Sequence, residues 1–313
     1  MTIHLSRARF TALAAAAAFA PMPVRAQATT IRFGTSPFAD SYLLPTYAVE
    51  QGFFKNAGLD VQLVPFPSAG AVGTALAGGA LDVAHADVIV VANAFNHGVP
   101  WQLFAGGGVY TSEASTTLLC VAQNGTVHSA KDLEGKQIGV VSLASISSLG
   151  VKSWIESNGV PLSNVKFYEM PYSSMVPALN RGDLAAAFIA EPFLSELRKD
   201  VRVLASAYDA IAKSFFISAT FASQSWLTAN AATARKVAGV MNDTARWANS
   251  HHDETATIAA AATKLSLDVV KHMTRVRYAA LDAKLVQPVL DAAIRFKSID
   301  KAVSAADIMA KVT

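Results

Sequence analysis

Residues 75–84 read ALAGGALDVA, and residues 178–187, 103 positions later, read ALNRGDLAAA. Five of the ten positions are identical, which alone carries little weight in a chain that is 52% hydrophobic and rich in alanine. The flanks carry the argument. IRFGTS (31–36) returns as KQIGVVS (136–142), with Gly139 standing for Gly34 at an offset of 105, and VQLVPFP (61–67) returns as VKFYEMP (165–171) at 104. The helical stretch between each pair stops at a glycine, Gly52 in the first copy and Gly159 in the second. A drift of one residue per element is what changes in loop length produce. The chain therefore holds two copies of one α/β unit, and a period of about 100 residues means duplicated lobes rather than the short stacked repeats of a solenoid.

Within each copy, short apolar runs alternate with helical patterns. In the first they are TIRFGTS (30–36), a helix over 40–52 interrupted by Pro45, LDVQLVPF (59–66), a helix over 71–79, LDVAHA (81–86), a helix over 87–98, and WQLFAGGG (101–108). This alternation predicts mostly parallel sheets flanked by helices. After residue 214 the pattern changes. SFFISATFAS (214–223) reads as one more strand, and residues 230–297 read as almost wholly helical. Val237, Val240, Met241, Thr244 and Ala248 fall on one helix face, and Pro288 is expected to bend or break the last helix. The tail belongs to neither copy and is expected to pack on the first lobe. TTLLCVA and SFFISA then become the crossings between lobes. The domain reading is a signal peptide over 1–28, lobe 1 over 29–113 plus 216–313, and lobe 2 over 114–215.

The leader rests on Arg7 and Arg9, the 11-residue apolar run Phe10 to Ala20, and the A-x-A site Ala26-Gln27-Ala28. The run is shorter than the ~20 residues that span a bilayer core. Cleavage before Thr29 would remove Arg7, Arg9 and Arg25, so the 26 basic residues fall to 23 against 23 acidic ones. A neutral mature chain gives no footprint for nucleic acid or an anionic membrane surface. Cys120 is the single cysteine, so no internal disulfide exists, and its apolar run TTLLCVA marks a buried thiol.

With these features in place, AVEQGFFKNAGLDVQ (48–62), ALAGGALDVA (75–84), DLEGKQIGV (132–140), ALNRGDLAAAFIAEPF (178–193) and ARWA (245–248) resemble the periplasmic solute-binding proteins of nitrate/sulfonate/taurine-type ABC transporters, a group that includes thiamine-precursor binders. Ala185 departs from the family pattern, which usually has Asp after the second glycine turn. The resemblance implies a two-lobed periplasmic-binding-protein fold, type II-like, with a helical C-terminal tail. It also implies a periplasmic, monomeric receptor that closes on a small molecule and delivers it to the membrane permease subunits of an importer, with no enzymatic activity. The alternatives are a periplasmic sensor subunit that binds the same kind of ligand, and an enzyme on the same fold.

Parallel α/β sheets bind ligands beyond the carboxyl ends of their strands. That rule places the site in six strand-to-helix loops: 36–42, 68–70, 85–87, 142–148, 172–174 and 190–192. Each precedes a helix whose first N–H groups lack partners and favour anions. The candidate ligand-binding residues are Ser36, Phe38, Asp40, Tyr42, Ser68, Ala69, Gly70, His85, Asp87, Ser142, Ser145, Tyr172 and Glu191. The serines and the two aspartates also suit helix N-caps. Glu191 precedes Pro192 at the expected first position of a helix. Phe38, Tyr42 and Tyr172 supply aromatic walls or core. None of the six loops contains Lys or Arg. An acceptor-rich rim of Asp40, Asp87 and Glu191 suits a ligand with an amine or N–H donor better than a dianion.

Other patterns carry no chemistry. His85 and Asp87 share a strand face, yet paired structural polar groups suit them better than a metal, and HHDE (251–254) reads as a solvated turn. The S-x-x-K match at 163–166 lacks its companion motifs. No G-x-x-x-x-G-K-[ST], G-x-S-x-G or H-E-x-x-H appears, and no metal or cofactor is implied.

Overall fold

The structure, a computed structural model, describes residues 30–311. The leader read at residues 1–28 lies outside them. The strands are β1 (Ile31–Thr35), β2 (Val61–Pro65), β3 (Val83–Asp87), β4 (Trp101–Ala105), β5 (Gly107–Thr111), β6 (Thr117–Ala122), β7 (Gln137–Val140), β8 (Lys166–Glu169), β9 (Ala186–Ala190), β10 (Val201–Ala205), β11 (Ser214–Phe216), β12 (Ser218–Ser223) and β13 (Arg277–Ala279). Two five-stranded sheets form, in the orders β2-β1-β3-β12-β4 and β8-β7-β9-β6-β10. In each, the first three strands pair in parallel and the fourth runs antiparallel to its neighbours. The two copies read from the sequence are these two sheets, with β7, β8 and β9 repeating β1, β2 and β3.

The repeat also explains its own glycines. A methyl group on Gly34 would stand 2.2 Å from Leu81 Cδ1, and one on Gly139 would stand 2.7 Å from Leu184 Cδ1. Leu81 and Leu184 are equivalent positions of the opening decapeptides, both buried. Each copy thus seats the leucine that follows its glycine turn directly over a strand glycine. Gly34→Ala is expected to destabilise the fold by about 1–3 kcal/mol through overpacking. Combining it with Leu81→Ala should restore part of that loss in urea unfolding, because the two changes share one contact. Additive losses would show that the close approach is not what Gly34 serves.

The lobes are joined by a third sheet, β11-β5-β13, antiparallel throughout. This corrects three expectations. The outward crossing lies one strand earlier than TTLLCVA, in β5, because β6 is an interior strand of the second sheet. WQLFAGGG breaks at Gly106, where a side chain would meet the carbonyl oxygen of Ala279 at 2.0 Å, so β4 and β5 are separate strands. Arg277–Ala279, inside the stretch expected to be helical, is extended and completes the small sheet against β5.

The rest of the C-terminal part is helical as read. Helix Ala231–Ala248 buries Val237, Val240, Met241, Thr244 and Ala248 together, and it packs on β4 and on helix Leu44–Glu50 of the first lobe. Helix Ala283–Arg295 contains Pro288 and continues through it, neither ending nor splitting. It packs on helix Val88–Asn96 and reaches helix Ile146–Ser157 of the second lobe. No helix among the described residues is long and apolar enough to cross a membrane.

Candidate functional site

The segments at the carboxyl ends of β1, β2, β3, β7 and β8 meet between the lobes. There a small cavity of about 10 Å³ is lined by Ser36, Phe38, Ala39, Tyr42, Pro67, Ser68, Ala69 and Asp87 from the first lobe and by Val141, Ser145 and Tyr172 from the second. The lobes are closed upon each other at this point. A methyl group on Gly70 would stand 3.5 Å from Ser142 Oγ across the gap. Asp40 N donates to Glu191 O at 3.1 Å, and Ile146 N donates to Asp87 Oδ2 at 3.0 Å. Two larger hollows, of about 470 and 490 Å³, share Gly58, Leu59 and Asp60 at the far end of the first lobe and touch no residue of the second.

The candidates divide sharply. Ser36, Phe38, Tyr42, Ser68, Ala69, Asp87, Ser145 and Tyr172 line the cavity. Gly70 and Ser142 sit beside it at the lobe contact. Ser68 caps helix Ala69–Ala77 by accepting from Ala71 N at 3.3 Å. Ser145 occupies the N-cap position of helix Ile146–Ser157, but its hydroxyl makes no cap bond and donates to Ser142 O at 2.6 Å. Tyr172 is buried and stacks on Phe193 at 5.8 Å, while Phe38 is 38% exposed at the mouth.

Asp40, His85 and Glu191 are turned elsewhere. The Asp40 carboxylate neither caps a helix nor faces the cavity. It pairs with the Arg275 guanidinium at 3.1 Å, accepts from Val276 N at 2.8 Å and from the Tyr47 hydroxyl at 3.1 Å. Arg275 stands 235 residues away in the tail, and nothing local in the sequence signals the pair. Burial pulls the guanidinium downward, but the Asp40 charge, its hydrogen bonds to Arg275 and the Tyr47 and Tyr278 hydroxyls together outweigh it and hold Arg275 above its ordinary value. Glu191 accepts from Ser195 N and from Ser195 Oγ, both at 3.0 Å. Its helix begins at Phe193, so Pro192 takes the N-cap position rather than the first helical one. Burial raises the Glu191 carboxyl against these bonds. His85 is fully buried, with Nδ1 at 2.9 Å from Thr220 Oγ1 and Nε2 at 3.1 Å from Ser218 Oγ. Burial drives its pKa down to about 3, so it is an uncharged strut between β3 and β12.

Asp87 remains. It sits at the N-cap position of helix Val88–Asn96 without capping it. Its Oδ2 crosses to the first N–H of helix Ile146–Ser157, and its Oδ1 accepts a short bond from the Tyr42 hydroxyl. The carboxyl is wholly buried and is pushed up to about 6 by that burial, with the Tyr42 and Ile146 bonds pulling the other way. Burial first, and then the Asp87 charge, raise the hydroxyls of Tyr42 and Tyr172. Among the described residues, no Lys or Arg lines the cavity.

Two like α/β lobes, a pair of crossing strands and a closed gap between them define the class: a periplasmic-binding-protein fold. Solved structures agree with it. The chain superposes on the alkanesulfonate-binding protein SsuA from Xanthomonas axonopodis pv. citri bound to MOPS with a TM-score of 0.75 at 19% identity, covering 91% of this chain and 99% of that one. The nitrate-binding protein NrtA from Synechocystis PCC 6803 gives 0.74 at 15% identity over 90% and 85%. The taurine-binding periplasmic protein of Escherichia coli (strain K12) is 26% identical over 195 residues, which are 61% of this chain and 57% of that protein. Residues 25–265 match the NMT1-like family, and the chain belongs to it.

Proposed function

We propose that the chain is the extracytoplasmic solute-binding receptor of an ABC importer. It captures a small organic molecule, sulfonate- or taurine-like or a nitrogen heterocycle, in the gap between its lobes. The observation that carries this reading is the Asp87–Ile146 contact. The carboxyl end of a strand in one lobe meets the N-terminus of a helix in the other, so a guest placed there touches both lobes and ties them shut. The names of the relatives support it, since those proteins bind taurine, alkanesulfonate and nitrate. Residues 29–113 with 216–313 move as one lobe and 114–215 as the other, about β5 and β11. The protein acts in the periplasm as a monomer, guided there by residues 1–28, hands its ligand to membrane permease subunits, and catalyses no reaction. The residues lining the cavity, with Gly70 and Ser142 beside it, form the ligand contacts.

A thermal-shift screen of taurine, alkanesulfonates, nitrate, aromatic acids, organic amines and pyrimidines tests the reading. A true ligand at about 100 times its Kd should raise the melting temperature by about 5 °C. Silence across the whole screen, or turnover of any of these compounds by the pure protein, would overturn the receptor.

A further inference from the structure

We propose that the gap selects a ligand carrying one protonated nitrogen with at least one N–H, and that Asp87 is the residue that imposes this choice. This inference rests on the receptor reading above. From the sequence, Asp40, Asp87 and Glu191 are equivalent acceptors around the gap. The structure removes two of them. Asp40 is neutralised by Arg275, and Glu191 bonds Ser195 away from the cavity, which it does not line. One carboxylate is left facing the cavity.

That carboxylate has no cationic partner. Its two bonds come from a neutral hydroxyl and a neutral amide, and no basic side chain lines the cavity. A buried carboxylate is costly until it is paired with positive charge, and its pKa near 6 reflects that shortage. A protonated nitrogen brought to it supplies the missing charge. Phe38, Tyr42 and Tyr172 line the same cavity, and aromatic rings attract a cation more than an anion. Asp87 also excludes the opposite class. The first N–H of helix Ile146–Ser157 is where an anionic group would dock, and Asp87 already fills it at 3.0 Å. A sulfonate, carboxylate or nitrate aimed there would meet a like charge in a site with no Lys or Arg to offset it. In a zwitterion the amine therefore goes to Asp87 and the anion faces elsewhere.

Matched probes test this by titration calorimetry at pH 7.5: taurine against isethionate, in which a hydroxyl replaces the amine, and benzylamine against benzenesulfonate. The amine member of a pair should bind about 10- to 100-fold tighter, the worth of one charged hydrogen bond. Asp87→Asn should erase that preference. Asp87→Ser, too short to reach Ile146, should in addition let benzenesulfonate bind where the wild type does not. If neither variant folds, the wild-type preference alone still decides. Preference for the anionic member, or a preference unchanged in a folded variant, overturns the assignment and leaves the receptor reading intact. If neither pair binds but another screened compound does, that compound must carry an N–H cation and be weakened in the variants, or the assignment falls. Failure of every compound in the screen removes both readings together.

Discussion

Acidification from pH 7 to pH 3 is expected to take about 4 kcal/mol from the folded state through His85 alone. The folded protein holds this imidazole neutral, with its pKa lowered to about 3 by burial between Ser218 and Thr220. The unfolded chain protonates it near its ordinary value. Its contribution is present in full above the unfolded value and is lost as the pH falls toward the folded one. Asp87 works in the opposite sense. Its pKa is raised to about 6, so its contribution is complete at low pH and is lost as the pH rises through 6, a difference of about 3 kcal/mol. Between pH 6 and pH 4 the unfolded chain holds one more proton on His85 and the folded chain one more on Asp87, so the two slopes cancel. His85→Gln leaves Asp87 unopposed, and its stability relative to wild type should climb by about 3 kcal/mol from pH 6 to pH 4. Urea unfolding curves at pH 7, 6, 5 and 4 read this directly. A variant that runs parallel to wild type over that range would show that His85 is not buried neutral.

The second large effect lies at Arg275. Arg275→Met should cost about 3–5 kcal/mol, the loss found when one member of a buried ion pair is removed. The Asp40 carboxylate is 1% exposed and would keep only the Val276 amide and the Tyr47 hydroxyl. The damage should spread beyond the pair. Asp40 receives the Tyr278 hydroxyl at its carbonyl and gives its amide to Glu191 of the other lobe. A double variant, Asp40→Asn with Arg275→Met, should recover a large part of the loss because no stranded charge remains. Chemical unfolding of both single variants and the double one closes the cycle. An Arg275→Met change costing less than about 1 kcal/mol, the range of exposed pairs, would mean that the pair is solvated.

The repeated decapeptide made the two sheets legible, because each glycine, leucine and turn recurs in order and both copies solve the same packing problem. The positions of the loops follow from strand polarity, so most cavity-lining residues are legible in the sequence, and Ala39, Pro67 and Val141 are their immediate neighbours in the chain. The destination of each side chain was not legible. Asp40, Asp87 and Glu191 look alike in sequence, and their fates depend on Arg275, Ile146 and Ser195. Two of these partners lie 235 and 59 residues away. The breaks at Gly106 and near Ile217 were hidden for a similar reason. Each run reads as continuous in the sequence, and at Gly106 what divides it is the approach of a third segment, Ala279–Leu281, from the tail. Propensity and periodicity describe a segment by itself and carry no information about such visitors.

The position of β12 has a consequence for the order in which the molecule can be built. The second sheet is complete within one unbroken run of chain, from Thr117 to Ala205. The first sheet needs Ser218–Ser223 between β3 and β4 before either of those strands has its neighbour there. A chain emerging amino end first, from a ribosome or through a membrane pore, thus finishes its inserted lobe while the lobe begun earlier still has an open seam down its middle. Until residue 223 arrives, β3 offers a bare row of amide and carbonyl groups to whatever strand is nearby.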